Sequence, residues 1–258
     1  LWANRMENTL ATITGPTWKG IRYFTTQVYG GYSQGPWGGL NLGEHCGDDP
    51  EHVALNRALL RRHLPSEPHW LQQVHGTDLY HAQQPNDSSV SWHEAPQADA
   101  AWTTTKNSVL AILTADCLPV VLADAQGQIV GIAHAGWRGL VNGVLEKLFL
   151  QLKSQCRHAQ QWQAWIGPGI SQQHFEVGAE VYQAFCEIDI QLKQYFFYKK
   201  ETNKYHADLP GIAQFLLLKL ESSIVVNLSQ VCTYSEQSYY SYRRERKTGR
   251  IVTLAWRI

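Results

Sequence analysis
The hydrophobic pattern alternates between two periods along the chain. Val53, Leu55, Leu59, Leu60 and Leu64 recur at helical spacing. Asp49-Pro50 supplies a cap and a proline at the first helical position, and Pro65 stops the run. A second helix is predicted after Gly139, with Val141, Val144, Leu145, Leu148 and Leu152 on one face. A third runs from Ala179 to Ile188, and a fourth starts near Asp208-Leu209-Pro210 and carries Ile212, Leu216, Leu217 and Leu220. Strands are predicted at Ile21–Thr25, His69–Val74, Ser108–Thr114, Leu118–Ala123, Gln128–Ala133, Gln163–Ile166, Ile224–Asn227 and Ile251–Trp256. Helices and strands are intermixed and one strand pair is joined by a tight turn. That argues for an α+β arrangement with mixed sheets rather than a purely parallel doubly wound one. No repeat or linker divides the chain, so residues 1–258 are read as a single domain. The stretch Gly30 to Gly43 contains Trp37 and Leu40 and reads as an ordered loop.

The tight turn is Asp124-Ala125-Gln126-Gly127, between the apolar runs Leu118–Ala123 and Gln128–Ala133. A register symmetric about it, with Asp124 facing Gly127, places Cys117 opposite His134 at the open end of the hairpin, with Cβ atoms roughly 4.5–5.5 Å apart. A one-residue slip would undo this. His75 ends the predicted strand of WLQQVHG, and spacing alone does not bring it to the hairpin. One thiolate and two imidazoles together would suit zinc, and three protein ligands would leave the fourth position open, as in catalytic sites. Asp116 reads three ways: a general base, an outer acceptor for a ligand histidine, or a turn residue.

Composition narrows the function. Lys plus Arg and Asp plus Glu each number 22, so the basic excess usual for nucleic-acid binding is missing. The five cysteines are odd in number and contain no C-x-x-C pair, which suits a reducing cytosol rather than a disulfide framework. Arg5 and Glu7 interrupt the region a signal peptide would need to be apolar. The longest apolar run, Val109 to Ala123, is broken by Asp116 and Pro119, so no membrane span is expected. Met6 is the only methionine, and residues 1–5 are set aside as an upstream remnant. Ten Trp and twelve Tyr serve core packing or stacking on a flat ring. HAGWRG joins a strand to a helix, where backbone N–H groups and Arg138 would attract an anion. IGPGI at Ile166–Ile170 is a weaker glycine turn of the same kind. SYYSYRRERKTGR gathers Tyr239, Tyr240, Tyr242, Arg243, Arg244, Arg246, Lys247 and Arg250; it reads as a solvated basic strand and turn or as an aromatic and basic wall for an anionic or ring-bearing substrate, with Arg243 left open between the two.

LNLGEHCGDDPEHVALNR, QVHG, ADA at Ala98–Ala100, TADCLPV, HAGWRG, IGPGI, FEVG, CTY, SYRR and TGR occur in order over most of the chain. Together they resemble the laccase-domain family, once described as multicopper polyphenol oxidoreductases and now as multifunctional purine nucleoside phosphorylases. The resemblance implies a four-layer α/β/β/α sandwich and a zinc site of His75, Cys117 and His134, with copper as the alternative. It implies phosphorolysis of adenosine, inosine and methylthioadenosine and deamination of adenosine. The alternatives are editing of wrongly built peptidoglycan precursors and copper-dependent phenol oxidation. The eleven His contain no H-x-H, which argues against a blue multicopper oxidase. Asp116 and Arg138 are the expected catalytic residues, and Asn41, Arg57, Gln73 and Arg243 the expected substrate contacts. The expected partners are a purine nucleoside and phosphate, with neither nucleic acid nor membrane. The expected location is the cytoplasm, as monomer or homodimer. The family's arginine in an FTTR-x-GG-like stretch is missing: Phe24–Gly31 reads FTTQVYGG, with Gln27 or Val28 at its place.

Overall fold
The computed structural model describes residues 10–258; the first nine, with Met6 and part of the segment read for a signal peptide, lie outside the described residues. In chain order the elements are β1 (Thr12–Ile13), β2 (Ile21–Thr26), α1 (Pro50–Arg61), β3 (Leu79–His81), β4 (Ala100–Thr103), β5 (Leu110–Thr114), β6 (Leu118–Asp124), β7 (Val130–Ala135), α2 (Trp137–Val141), α3 (Val144–Gln155), β8 (Trp162–Ile166), β9 (Glu176–Val177), α4 (Ala179–Ile188), β10 (Phe196–Lys199), β11 (Lys204–Ala207), α5 (Leu209–Leu220), β12 (Val225–Leu228) and β13 (Ile251–Arg257). One sheet has the order β1-β2-β13-β5 and is antiparallel throughout; the other has the order β12-β8-β6-β7-β4-β3, with parallel pairs at both edges; β10-β11-β9 is a small third sheet.

Strand alternation shows how the two larger sheets stack. Leu110 and Ile112 of β5 and Ala255 of β13 share one cluster with Val121 and Ala123 of β6, Val130 and Ile132 of β7 and Trp165 of β8. The intervening residues point outward. Ala111, Leu113, Val252, Leu254 and Trp256 pack with Leu60 of α1. Val120 and Leu122 pack with Leu148 and Phe149 of α3, Phe185 of α4 and Ile212 and Leu217 of α5. The layers are therefore helix, sheet, sheet and helices, an α+β sandwich of four layers. Strands buried on both faces lose polar alternation, which is why β5, β6 and β7 read as unbroken apolar runs.

Asp49 caps α1 by accepting from Glu51 N, and Asp208 caps α5 from Gly211 N. Three expectations change. The helix placed after Gly139 begins at Trp137 and breaks at Gly143, whose φ of 82° interrupts it into α2 and α3. No strand forms at His69–Val74. That segment makes single bridges, His69 to Leu110 and Gln72 to Gln97, because its amides are divided among separate partners. The hairpin register differs by two residues: Pro119, not Cys117, faces His134. Gly127 N does close a turn on Asp124 O, but the Asp124 carboxylate then takes the amides of Gln126, Gln128 and Ile129, delaying the return strand to Val130. A shift of two preserves the parity of side chains, so Cys117 and His134 stay on one face.

Candidate metal centre
His134 is the fifth residue of β7 and is buried, while Cys117 lies in the turn just before β6. Asp116 enters that turn with φ 93° and His75 sits on its own turn with φ 61°, both in the left-handed region that L residues rarely occupy. Cys117 Sγ is 3.9 Å from His75 Nε2, and the His75 and His134 rings are 4.7 Å apart edge to face. One ligand atom from each of the three residues lies within 4.8 Å of the others. Ligands of a tetrahedral zinc, with Zn–S ~2.3 Å and Zn–N ~2.0 Å, stand roughly 3.5 Å apart, so a small closure admits the ion. Gly136 makes this approach possible: a Cβ there would meet Cys117 Sγ at 3.0 Å and His75 Cδ2 at 3.2 Å. These residues can hold a metal.

Asp99 organises the site, and sequence reasoning did not single it out. It is fully buried. Its Oδ1 lies 2.8 Å from His134 Nδ1 and accepts from His75 N; its Oδ2 accepts from Val74 N and Gly76 N. Three successive amides around one carboxylate form a nest that accounts for the unusual His75 backbone. With Nδ1 held, His134 has Nε2 left as its metal-facing atom, the outer-shell arrangement usual for ligand histidines. Burial alone would push the Asp99 carboxyl up; the His134 hydrogen bond and the Gly76 and Val74 amides outweigh it and hold the carboxyl below its ordinary range. Burial would likewise raise the Cys117 thiol, but the charge and hydrogen bond of His134, with help from His75, draw it down. Burial opposes a charge on His134, yet Cys117 and Asp99 draw its pKa up. A thiolate is thereby favoured, the form that binds metal. The signal for Asp99 was present: a lone carboxylate in the apolar stretch ADAAW has to find partners once buried.

The triad opens on a cavity of about 470 Å³ lined by His45, Gln73, Leu113, Thr114, Ala115, Arg138, Tyr242 and Arg250 as well as the three ligands. Gln73 and Arg138 are thus in the wall as expected. Gln73 is fixed by two bonds of 2.8 Å to the Leu113 backbone. Arg138 is exposed, with its guanidinium 4.4 Å from the Trp137 ring. The α2 helix of five residues is too short to carry a useful dipole, so the cation here is Arg138 itself.

Four other expected contacts lie outside this lining. Both Asp116 oxygens are occupied, one by Thr233 Oγ1 and one by Arg243 N, each at 2.7 Å. Asp116 therefore joins the cysteine turn to the C-terminal loop, and the acceptor for His134 is Asp99. Arg243 donates to Glu176 O and lies 5.2 Å from the Phe175 ring. Arg57 is buried, pairs with Glu44 at 2.6 Å and lies 4.0 Å from the Trp70 ring. Asn41, fully buried, accepts from Gly43 N and Arg250 N and donates to Asp48. The glycines of IGPGI serve close packing: a Cβ at Gly169 would meet Leu118 Cδ2 at 2.4 Å and Asp116 O at 3.1 Å. Gln27 donates to the Tyr239 hydroxyl and Val28 N to Ser238 O. Tyr242 and Arg250, from the aromatic and basic C-terminal stretch, also line the wall, and the unexpected wall residues His45 and Thr114 come from a turn and a strand end without a regular period.

Among the described residues no helix is long and apolar enough to cross a membrane. Known proteins share both sequence and fold with this chain. It is 38% identical over 249 residues to purine nucleoside phosphorylase YfiH of Escherichia coli, covering 94% of this chain and 98% of the relative. It is 42% identical over 236 residues to a purine nucleoside phosphorylase of Xylella fastidiosa, covering 88% of each. The crystal structure of a Neisseria meningitidis protein superposes with a TM-score of 0.85 at 34% identity, over 96% of this chain and 98% of that one. The family description "multi-copper polyphenol oxidoreductase laccase" matches residues 22–258, and the chain belongs to that family.

Proposed function
We propose that this chain is a zinc-dependent purine nucleoside enzyme, one that cleaves adenosine, inosine and methylthioadenosine with phosphate and deaminates adenosine. The observation that carries the reading is the open His75–Cys117–His134 set facing a cavity that also contains Arg138. The name shared by the relatives supplies the substrate class. One thiolate and two imidazoles favour zinc over harder ions, and zinc when bound supplies Lewis-acid polarisation and water activation near neutral pH. Asp99 keeps the His134 tautomer and ring orientation fixed. Arg138 offers a cation to phosphate and to the negative charge that develops during transfer. Tyr242, exposed in the wall, offers a flat face to a purine. Asp116 is a positioning residue here, since both of its oxygens are engaged.

In phosphorolysis a phosphate oxygen bonds to ribose C1′ while the C1′–N9 bond breaks; in deamination water replaces the amine at purine C6 and ammonia leaves. Zinc-loaded protein incubated with adenosine or inosine, with and without phosphate, is expected to give free base and ribose 1-phosphate only with phosphate, and inosine from adenosine without it. Metal-dependent turnover of a nucleotide-linked muramyl amino acid with no nucleoside turnover would overturn the reading. So would protein that binds several coppers per chain and oxidises phenols alone.

A further inference from the structure
Two pairs of arginines in this protein contrast. Arg57 and Arg61 pair with Glu44 and Glu67. Arg138 and Arg250 line the metal cavity, whose wall contains no carboxylate among the described residues. Arg250 is held in place from several directions. Its amide donates to Asn41 Oδ1 at 2.8 Å, and its Nη1 donates to Thr248 O at 3.1 Å and Gly249 O at 2.8 Å on its own loop. Gly43 leaves room for it: a Cβ there would stand 2.9 Å from Arg250 Cγ and 2.7 Å from Cys46 Sγ. The next residue, Ile251, faces Thr114 in the β5–β13 register. Thr114 lines the same cavity, and its hydroxyl is buried without a hydrogen-bond partner. A buried hydroxyl left unpaired in a native structure calls for a partner.

Resting on the phosphorolytic reading above, we propose that Arg250, together with Arg138 and the Thr114 hydroxyl, forms the subsite that binds the phosphate co-substrate. A guanidinium presents paired donors matched to phosphate oxygens, and fixing one Nη on backbone carbonyls leaves the remaining donors oriented in advance. Bound phosphate then directs one oxygen at ribose C1′. The new C1′–O bond forms as the C1′–N9 bond breaks, and the base keeps that electron pair and takes a proton from water. Asn41 and Gly43 act on this subsite through Arg250 without lining the cavity themselves.

The test uses the full metal-loaded chain with inorganic phosphate as the probe. In Arg250→Ala the KM for phosphate is expected to rise about tenfold while the nucleoside KM changes less than twofold. Thr114→Val, which keeps the volume, is expected to raise the phosphate KM about threefold. A phosphate KM within twofold of the unmodified protein in Arg250→Ala overturns the assignment. The unsubstituted protein gives a second readout that no folding defect can obscure. Phosphate should protect Arg250 from phenylglyoxal, read by mass spectrometry of the labelled peptides, and should leave Arg62, which lies outside the cavity lining, unprotected. Equal labelling of Arg250 with and without phosphate also overturns it. If the unmodified protein shows no phosphorolysis, the nucleoside reading fails while the labelling still decides whether Arg250 binds phosphate.

Discussion
At the two ends of the β6–β7 hairpin lie two buried aspartates, each collecting three backbone amides. Asp124, 1% exposed, accepts from Gln126, Gln128 and Ile129 within its own turn. Asp99, 0% exposed, accepts from Val74, His75 and Gly76, more than twenty positions earlier in the chain, and also pairs with His134. One chemical device thus has two outcomes. Closed on neighbours in sequence, the carboxylate ends a hairpin. Closed on a distant loop, it brings that loop to the strand end and aims a metal ligand. Locality separates the structural end from the functional one.

The largest expected effects lie at the functional end. Cys117→Ala removes the only thiolate of the ligand set. Elemental analysis should show metal lost from a folded protein, and turnover should fall by more than the ~100-fold upper range of outer-shell changes. Full metal content in that variant would sink the site. Asp99→Asn keeps the shape but turns an NH2 toward amide donors and removes the charge beside His134. Metal affinity, measured by competition with a chelator, should fall ~10–100-fold, and unfolding free energy should drop by about 1–3 kcal/mol from unsatisfied buried donors. Unchanged affinity would reduce Asp99 to a structural residue.

The same distinction governs what the sequence makes legible. The cap at Asp49, the helix Ala179–Ile188 and the helix start near Asp208 are local events, and the structure has them where the pattern predicts; the turn at Asp124 also forms, with its return strand delayed to Val130. Hairpin reasoning finds Cys117 and His134 although its register is two residues off, because a shift of two leaves side-chain parity intact. His75 needs the family resemblance, since no periodicity links a loop to a strand end. Arg57 and Arg243 stand out for charge, but charge does not tell direction: one is buried against Glu44 and Trp70, the other turned to Glu176 O. His45 escapes a sequence reading, and Arg250 does not stand out from the other residues of its aromatic and basic stretch, because their turns are placed by Asn41, Gly43 and Trp92, contacts as distant as 209 positions apart in the chain.

Asp124→Ala tests the structural end. It deprives three amides of their acceptor in a buried turn and should cost about 2–3 kcal/mol of unfolding free energy, measured by denaturant titration. Metal content and chelator competition should match the unsubstituted protein. If Asp124→Ala lowered metal affinity as far as Asp99→Asn does, the two ends would be coupled through the hairpin, and the contrast between local and distant closure would fail.

The smallest expected effect concerns the loop-borne wall facing the strand-borne ligands. His45 stacks on Trp92 with ring centroids 5.4 Å apart. Its pKa is lowered from 6.5 to about 4, first by burial of the ring against its neighbours and then by the charges of Arg250, Arg57 and His134. A zinc ion in the same cavity would add positive charge and lower it further. The sign for stability follows. Between about 4 and 6.5 the unfolded chain binds a proton that folded His45 refuses, so the folded state gains as pH rises through that window and loses as pH falls. His45 is nonetheless an exposed residue, and solvent screening keeps this contribution small. An NMR titration of the His45 ring is therefore the better observable. Arg250→Ala should raise its midpoint toward, without reaching, the ordinary value, because burial, the leading cause, remains. A midpoint that stays where it was would mean that the Arg250 charge does not act across the cavity, and it would separate the loop-borne wall from the metal site at the strand ends.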